Sequence, residues 1–226
     1  MQIEILYKPS YSMGVITLAP NEELNVEAGS MVGMSPGISL ETRATGGLLR
    51  SLGRSLLGGE SFFQNSYRAS EEGGQVMVAP PLPGDLFVLD LESEELMVQS
   101  GAYVASESGI EISTRWSGAR TFFASEGLIM LLASGRGKLV LSSYGAIHEL
   151  RLGAGEKYTV DTGHLVAFSR KMGFHVRTVG GLKSTLFSGE GLVVDLTGPG
   201  RVLMQTRSED AFLAWLIPHL PKPQSH

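Results

Sequence analysis

One short motif occurs three times along this 226-residue chain, and it limits what the chain can fold into more than any other feature. Glu22-Glu23-Leu24-Asn25-Val26-Glu27-Ala28-Gly29 returns as Glu94-Glu95-Leu96-Met97-Val98-Gln99-Ser100-Gly101. It returns again as Glu156-Lys157-Tyr158-Thr159-Val160-Asp161-Thr162-Gly163, so the glycines stand 72 and 62 residues apart. Three residues beyond each glycine is a valine (Val32, Val104, Val166), followed by a small residue and a polar turn ending in Gly37, Gly109 or Gly173. A fixed long period marks a repeat architecture. Within each unit the period is two: Leu24, Val26 and Ala28 alternate with Asn25 and Glu27, and Ile110 and Ile112 alternate with Glu111 and Ser113. Alternation over four to eight residues is the pattern of a half-buried strand, because successive side chains leave opposite faces. Further strands are expected at Val15–Leu18, Leu86–Leu91 and Ile147–Leu152, and at Gln75–Val78, Lys138–Leu141 and Arg201–Gln205. Glycine, at 29 residues or about 13% against a usual ~7%, supplies the turns between them.

The expected fold is therefore all-β, with three tandem β-sandwich repeats at 1–80, 81–145 and 146–207 forming one compact pseudo-threefold unit. Leu128 to Leu132 is apolar at every position, so the middle repeat should be covered on both faces. Ser208 reads as an N-cap with Glu209 and Asp210 in the first turn. The apolar residues Phe212 to Ile217 then make a short C-terminal helix over 208–218 that closes the open end of the third repeat, and 219–226 is a tail. Gly29, Gly101 and Gly163 are expected to hold backbone shapes that a side chain would strain, or to sit where another segment passes closely. On that reading Gly101→Val costs about 1–3 kcal/mol.

Composition excludes several chemistries. There is no cysteine, hence no disulfide, thiolate metal site or cysteine nucleophile. A net charge of −5 speaks against nucleic acid as a partner, since phosphate neutralisation needs surplus Lys and Arg. The run Leu128–Ala133 is far short of a bilayer span, and Met1-Gln2-Ile3-Glu4 shows no secretion signal, so a cytoplasmic protein is expected. Gly33-Met34-Ser35-Pro36-Gly37 matches G-x-S-x-G, but a strand rather than a helix is expected after it, so it reads as a hairpin turn. His148, His164 and His175 show no paired ligand spacing. Glu22, Glu94 and Glu156 recur in every unit, which suits a turn carboxylate accepting backbone N–H bonds better than an active site made once. No catalytic residue, metal or cofactor is expected.

The longest departure from the period is Gly46–Gly59, an insertion in the first unit. Leu48, Leu52 and Leu56 fall on one helical face and Arg50 and Arg54 on another, between glycine hinges. This short cationic amphipathic helix either packs within an oligomer or contacts a membrane surface or a protein partner.

The thrice-repeated E-x-x-x-V-x-x-G, together with Gly-Gly…Leu…Arg…Gly-Gly-Glu-Ser-Phe-Phe over Gly46–Phe63, resembles the altered-inheritance-of-mitochondria protein twenty-four family over residues 1 to 218. That resemblance implies kinship with the tryptophan RNA-binding attenuation protein (TRAP) in a superfamily of short double-stranded β-helix sandwiches that assemble into rings. Three TRAP-like units per chain then imply a homotrimer of nine units. TRAP's RNA binding does not carry over to an acidic chain without repeated basic residues. The expected function is a non-enzymatic ring-forming scaffold or binding protein at a peripheral membrane or protein partner, with no small molecule assigned. The alternative is a ring that binds small molecules between adjacent sandwiches.

Overall fold

A computed structural model of the chain describes residues 1–43, 64–113, 129–179 and 192–221. The alternating segments all form strands. Up to residue 78 these are β1 (Gln2–Leu6), β2 (Met13–Leu18), β3 (Glu23–Glu27), β4 (Met31–Met34), β5 (Ile38–Arg43), β6 (Gln64–Ala69) and β7 (Gly74–Val78). Next come β8 (Leu86–Leu91), β9 (Leu96–Gln99), β10 (Tyr103–Glu107), β11 (Ile110–Ser113), β12 (Met130–Gly135) and β13 (Gly137–Ser142). The rest are β14 (Ile147–Leu152), β15 (Lys157–Asp161), β16 (Leu165–Ser169), β17 (Gly173–Thr178), β18 (Leu192–Thr197), β19 (Gly200–Gln205) and the helix α1 (Glu209–Leu216). The chain is mostly β-sheet with one short C-terminal helix.

The strands make four antiparallel sheets, ordered β1-β2-β7-β4, β5-β6-β3-β10-β13-β8, β11-β12-β9-β16-β19-β14 and β15-β18-β17. Three apolar cores fill the spaces between consecutive sheets. Ile16, Val76, Val26 and Tyr67 lie in the first, Leu139, Leu96, Leu131 and Leu203 in the second, and Phe168, Val202, Val160 and Val194 in the third. Of the apolar run Leu128–Leu132, Leu128 lies outside the described residues, and the part in β12 divides its side chains between two cores: Leu131 enters the second and Met130 the third.

Both six-stranded sheets are joined at their centres by the repeated motif. In one, Val26, Asn25 and Leu24 of β3 lie opposite Ala105, Ser106 and Glu107 of β10. In the other, Val98, Met97 and Leu96 of β9 lie opposite Ala167, Phe168 and Ser169 of β16. The register slips at Val32 in the β4–β7 pairing, at Val104 in β10–β13 and at Val166 in β16–β19. Each slip is a bulge of one residue, so the valine after each motif marks a bend in its strand.

The first of these junctions is polar. Tyr103 is fully buried, its hydroxyl accepting from Gln64 Nε2 at 2.7 Å, donating to the Asn25 carbonyl at 3.3 Å and sharing a 2.9 Å bond with Ser106. Burial pushes this phenol well above its usual pKa, against the smaller opposing effect of its hydrogen bonds.

The helix departs from expectation. Ser208 caps it through Ala211 N–H, with Glu209 and Asp210 in its first turn. Yet none of its residues is buried. Phe212 meets Tyr144 edge-on at 6.1 Å and stacks at 6.2 Å on Trp215, which is 60% exposed. Eight residues give about two turns, enough to dock one aromatic side chain but too few to span a sheet edge.

Candidate functional site

Among the described residues two sheet edges stand out: β15, which carries the third motif copy, and β4, which follows the first. Backbone groups on an edge strand are unpaired and serve as a template for another strand. Motif-equivalent positions show how much the edge matters. Leu24 and Leu96 are fully buried under a neighbouring strand, whereas Tyr158 is 45% exposed. Val104 and Val166 are buried, whereas Val32 is 57% exposed. Ser106 and Phe168 are fully buried, whereas Met34 is 45% exposed. The side chains remain apolar in all three places except Ser106. Beside β15, Asp195 accepts from Arg177 Nε at 2.6 Å and Nη2 at 3.1 Å, and from the Thr159 hydroxyl at 2.7 Å. The Arg177 hydrogen bonds, followed by that of Thr159, hold its carboxyl at about 2.

The turn after each motif is structural, as its recurrence implies. The side chain of Ser35 accepts the N–H of Gln75 at 2.9 Å, Glu107 that of Lys138 at 3.0 Å, and Ser169 that of Arg201 at 3.0 Å. Ser35 of the G-x-S-x-G match is thus a turn serine between β4 and β5. Glu22 accepts Ala19 N–H and Glu156 accepts Gly153 N–H, both at 2.7 Å, in the expected turn role. Glu94 differs, accepting the Ser169 hydroxyl at 2.6 Å and pairing with Arg201 at 2.8 Å. His164 Nδ1 bonds the backbone oxygen of Gln205 at 2.8 Å, tying down that ring.

The three motif glycines do not share one cause. Gly29 has φ +95°, a conformation that side chains rarely adopt, with open space around it. Gly163 has an ordinary φ but crowds Ser208, whose hydroxyl would lie 2.7 Å from an added Cβ. Gly101 has neither strain nor crowding, because Ser100–Ala102 forms a turn of 3-10 helix that leaves its Cβ direction open. The cost expected for Gly101→Val is therefore withdrawn. Gly29→Ala is expected to lower stability by about 1 kcal/mol or more, and Gly101→Ala to stay within about 0.5 kcal/mol of the parent. Urea melts of the two variants check this contrast. Leu48, Arg50, Leu52, Arg54 and Leu56 lie outside the described residues.

The description "Mitochondrial biogenesis AIM24" belongs to a family model that matches residues 3–207. The chain belongs to the AIM24 family. An uncharacterized protein of Streptococcus pyogenes serotype M6 is 27% identical over 214 residues, covering 91% of this chain and 86% of the relative. Altered inheritance of mitochondria protein 24, mitochondrial, of Verticillium alfalfae is 28% identical over 177 residues. That alignment covers 74% of this chain but only 43% of the fungal protein. The crystal structure of protein SPYM3_0169 from Streptococcus pyogenes superposes with a TM-score of 0.81 at 25% identity, covering 97% of this chain and 99% of that one. Among the described residues of this AIM24 chain, no helix is long and apolar enough to cross a membrane. No group of three or more His, Asp or Glu among them is arranged to hold a metal.

Proposed function

We propose that the chain is a non-enzymatic, ring-forming scaffold in which β4 of one copy pairs with β15 of the next. In this reading the chain is three tandem TRAP-like sandwiches, and three chains close a ring of nine. The observation that carries it is the exposure contrast between motif-equivalent positions: the same residues are covered by a strand inside the chain and bare at its two ends. Extending the registers of β3–β10 and β9–β16 places Gly33 opposite Val160, Met34 opposite Thr159 and Ser35 opposite Tyr158 of the neighbour. The joined sheet then runs β17-β18-β15, then β4-β7-β2-β1 of the next copy, matching the central order of the two six-stranded sheets. Closure removes both edges, which an open chain of sandwiches would leave available for uncontrolled pairing.

The chain has no cysteine, so engineered thiols report on contact without background. Met34→Cys combined with Thr159→Cys should form disulfides between copies under mild oxidation, giving a covalent trimer on a denaturing gel. Directly opposed antiparallel residues come within disulfide range. Absence of any link between copies would overturn the proposed closure.

A further inference from the structure

A cleft of about 880 Å³ opens where β9 meets β16, at the end of the sheet marked by the turn before β9 and the turn after β16. Arg151, Arg170, Lys171 and Arg201 line it, against Glu94 and Glu95. Four cations thus line it with two carboxylates, and Glu149, paired with Arg151, adds a third beside it, which still leaves a cationic excess in a chain whose overall charge is −5. We propose that this cleft binds a multiply charged phosphate-class oxyanion, either a free phosphorylated small molecule or the phosphate headgroup of a lipid. The site lies within one chain and does not rest on ring closure.

The three equivalent strand pairs differ in charge at this place. In the β2–β7 pair Thr17 stands opposite Gln75, and in the β8–β13 pair Asp90 stands opposite Lys138 and forms a salt bridge with it. At the same place in β14–β19, Arg151 stands directly opposite Arg201. Like charges directly opposed across strands are destabilising; Glu149 and Glu94 each offset one of these arginines, and an anion seated between them would offset both at once. The hairpin beside them is also altered. From Ser169 to Gly173 it is two residues longer than Ser35 to Gly37 or Glu107 to Gly109, and the longer turn contains Arg170 and Lys171.

Carboxylates of the protein hold two of these cations in place, Arg201 and Arg151. Arg201 is 20% exposed and fixed by Glu94 at 2.8 Å, and Glu94 is itself held by Ser169. This is why Glu94 alone leaves the turn role of Glu22 and Glu156. Arg151 pairs with Glu149 at 2.6 Å while its side chain stays 70% exposed. A guanidinium has five N–H donors in a planar fork, so one carboxylate contact leaves donors for a second, bidentate anion. Prepositioned arginines suit phosphate better than lysines, because the fork matches two oxygens at once.

The test is calorimetric titration of the full chain with inorganic pyrophosphate, alongside co-sedimentation with phosphatidylcholine vesicles with and without phosphatidic acid. The variant is Arg151→Gln with Lys171→Gln, both exposed positions. The control is Lys8→Gln with Arg68→Gln, which removes the same charge elsewhere on the surface. Saturable pyrophosphate binding that weakens about tenfold or more in the variant, but not in the control, supports the site. Pyrophosphate binding without vesicle binding identifies a free phosphate compound. Vesicle binding that needs phosphatidic acid and is lost in the variant identifies a headgroup. The proposal falls if neither probe binds, or if the control loses as much as the variant.

Discussion

Replacing Phe168 with alanine is expected to lower unfolding stability by about 3–5 kcal/mol, the usual cost of emptying a large aromatic site in a packed core. Phe168 is fully buried, lies opposite Met97 on β9 and Val202 on β19, and meets Phe174 at a ring separation of 5.4 Å. It therefore packs where the second motif copy meets the strand that follows the third, and where the third core begins. Rigid strands on three sides limit how far the site can collapse, which places the cost in the upper part of the range. Chemical denaturation followed by tryptophan fluorescence measures it. A loss below about 1 kcal/mol would show that the junction repacks easily and is not a fixed seam.

The motif-equivalent residue Met34 is expected to behave in the opposite way. Met34→Asp places a charge on an exposed edge strand, so folding of the single chain should change little, by about 0.5 kcal/mol at most. In the proposed ring the same position is covered like Ser106 and Phe168, and an unpaired buried carboxylate costs several kcal/mol. The variant should be a folded monomer with near-parental far-ultraviolet dichroism. Retention of the trimer would mean that β4 is not the closing edge, and loss of fold would mean that β4 is already part of the core.

Much of this architecture is legible in the sequence because the motif recurs and its period is two. Leu24 and Val26, Leu96 and Val98 each place a strand and its inward face without any knowledge of pairing. The strand β1 escapes such a reading, although Gln2-Ile3-Glu4-Ile5 alternates well, because it has no counterpart in the other copies. The helix was legible in its cap and length, but its docking was not, since that depends on Tyr144 far away in the chain. Gly101 misleads for a similar reason. Recurrence shows that a turn is needed, while the backbone shape differs at Gly29, Gly101 and Gly163.

The cationic cleft lay furthest from view. Arg151 and Arg201 are fifty residues apart, and only the register of β14 against β19 brings them face to face. The sequence marks Glu94 as one of three equal turn carboxylates, and only the fold shows that Ser169 and Arg201 have claimed it. The edges β4 and β15, which the proposed ring would join, are not located by the repeat. Their position follows from exposure at Met34, Val32 and Tyr158, a property of neighbours rather than of residue type.

Ring closure is the central claim, and the mass of the unmodified protein in solution tests it most directly. Multi-angle light scattering at micromolar concentration should give one species of about 73 kDa, three times the 24.2 kDa chain. A monodisperse species of 24.2 kDa would contradict the account, leaving β4 and β15 as edges protected by some other means.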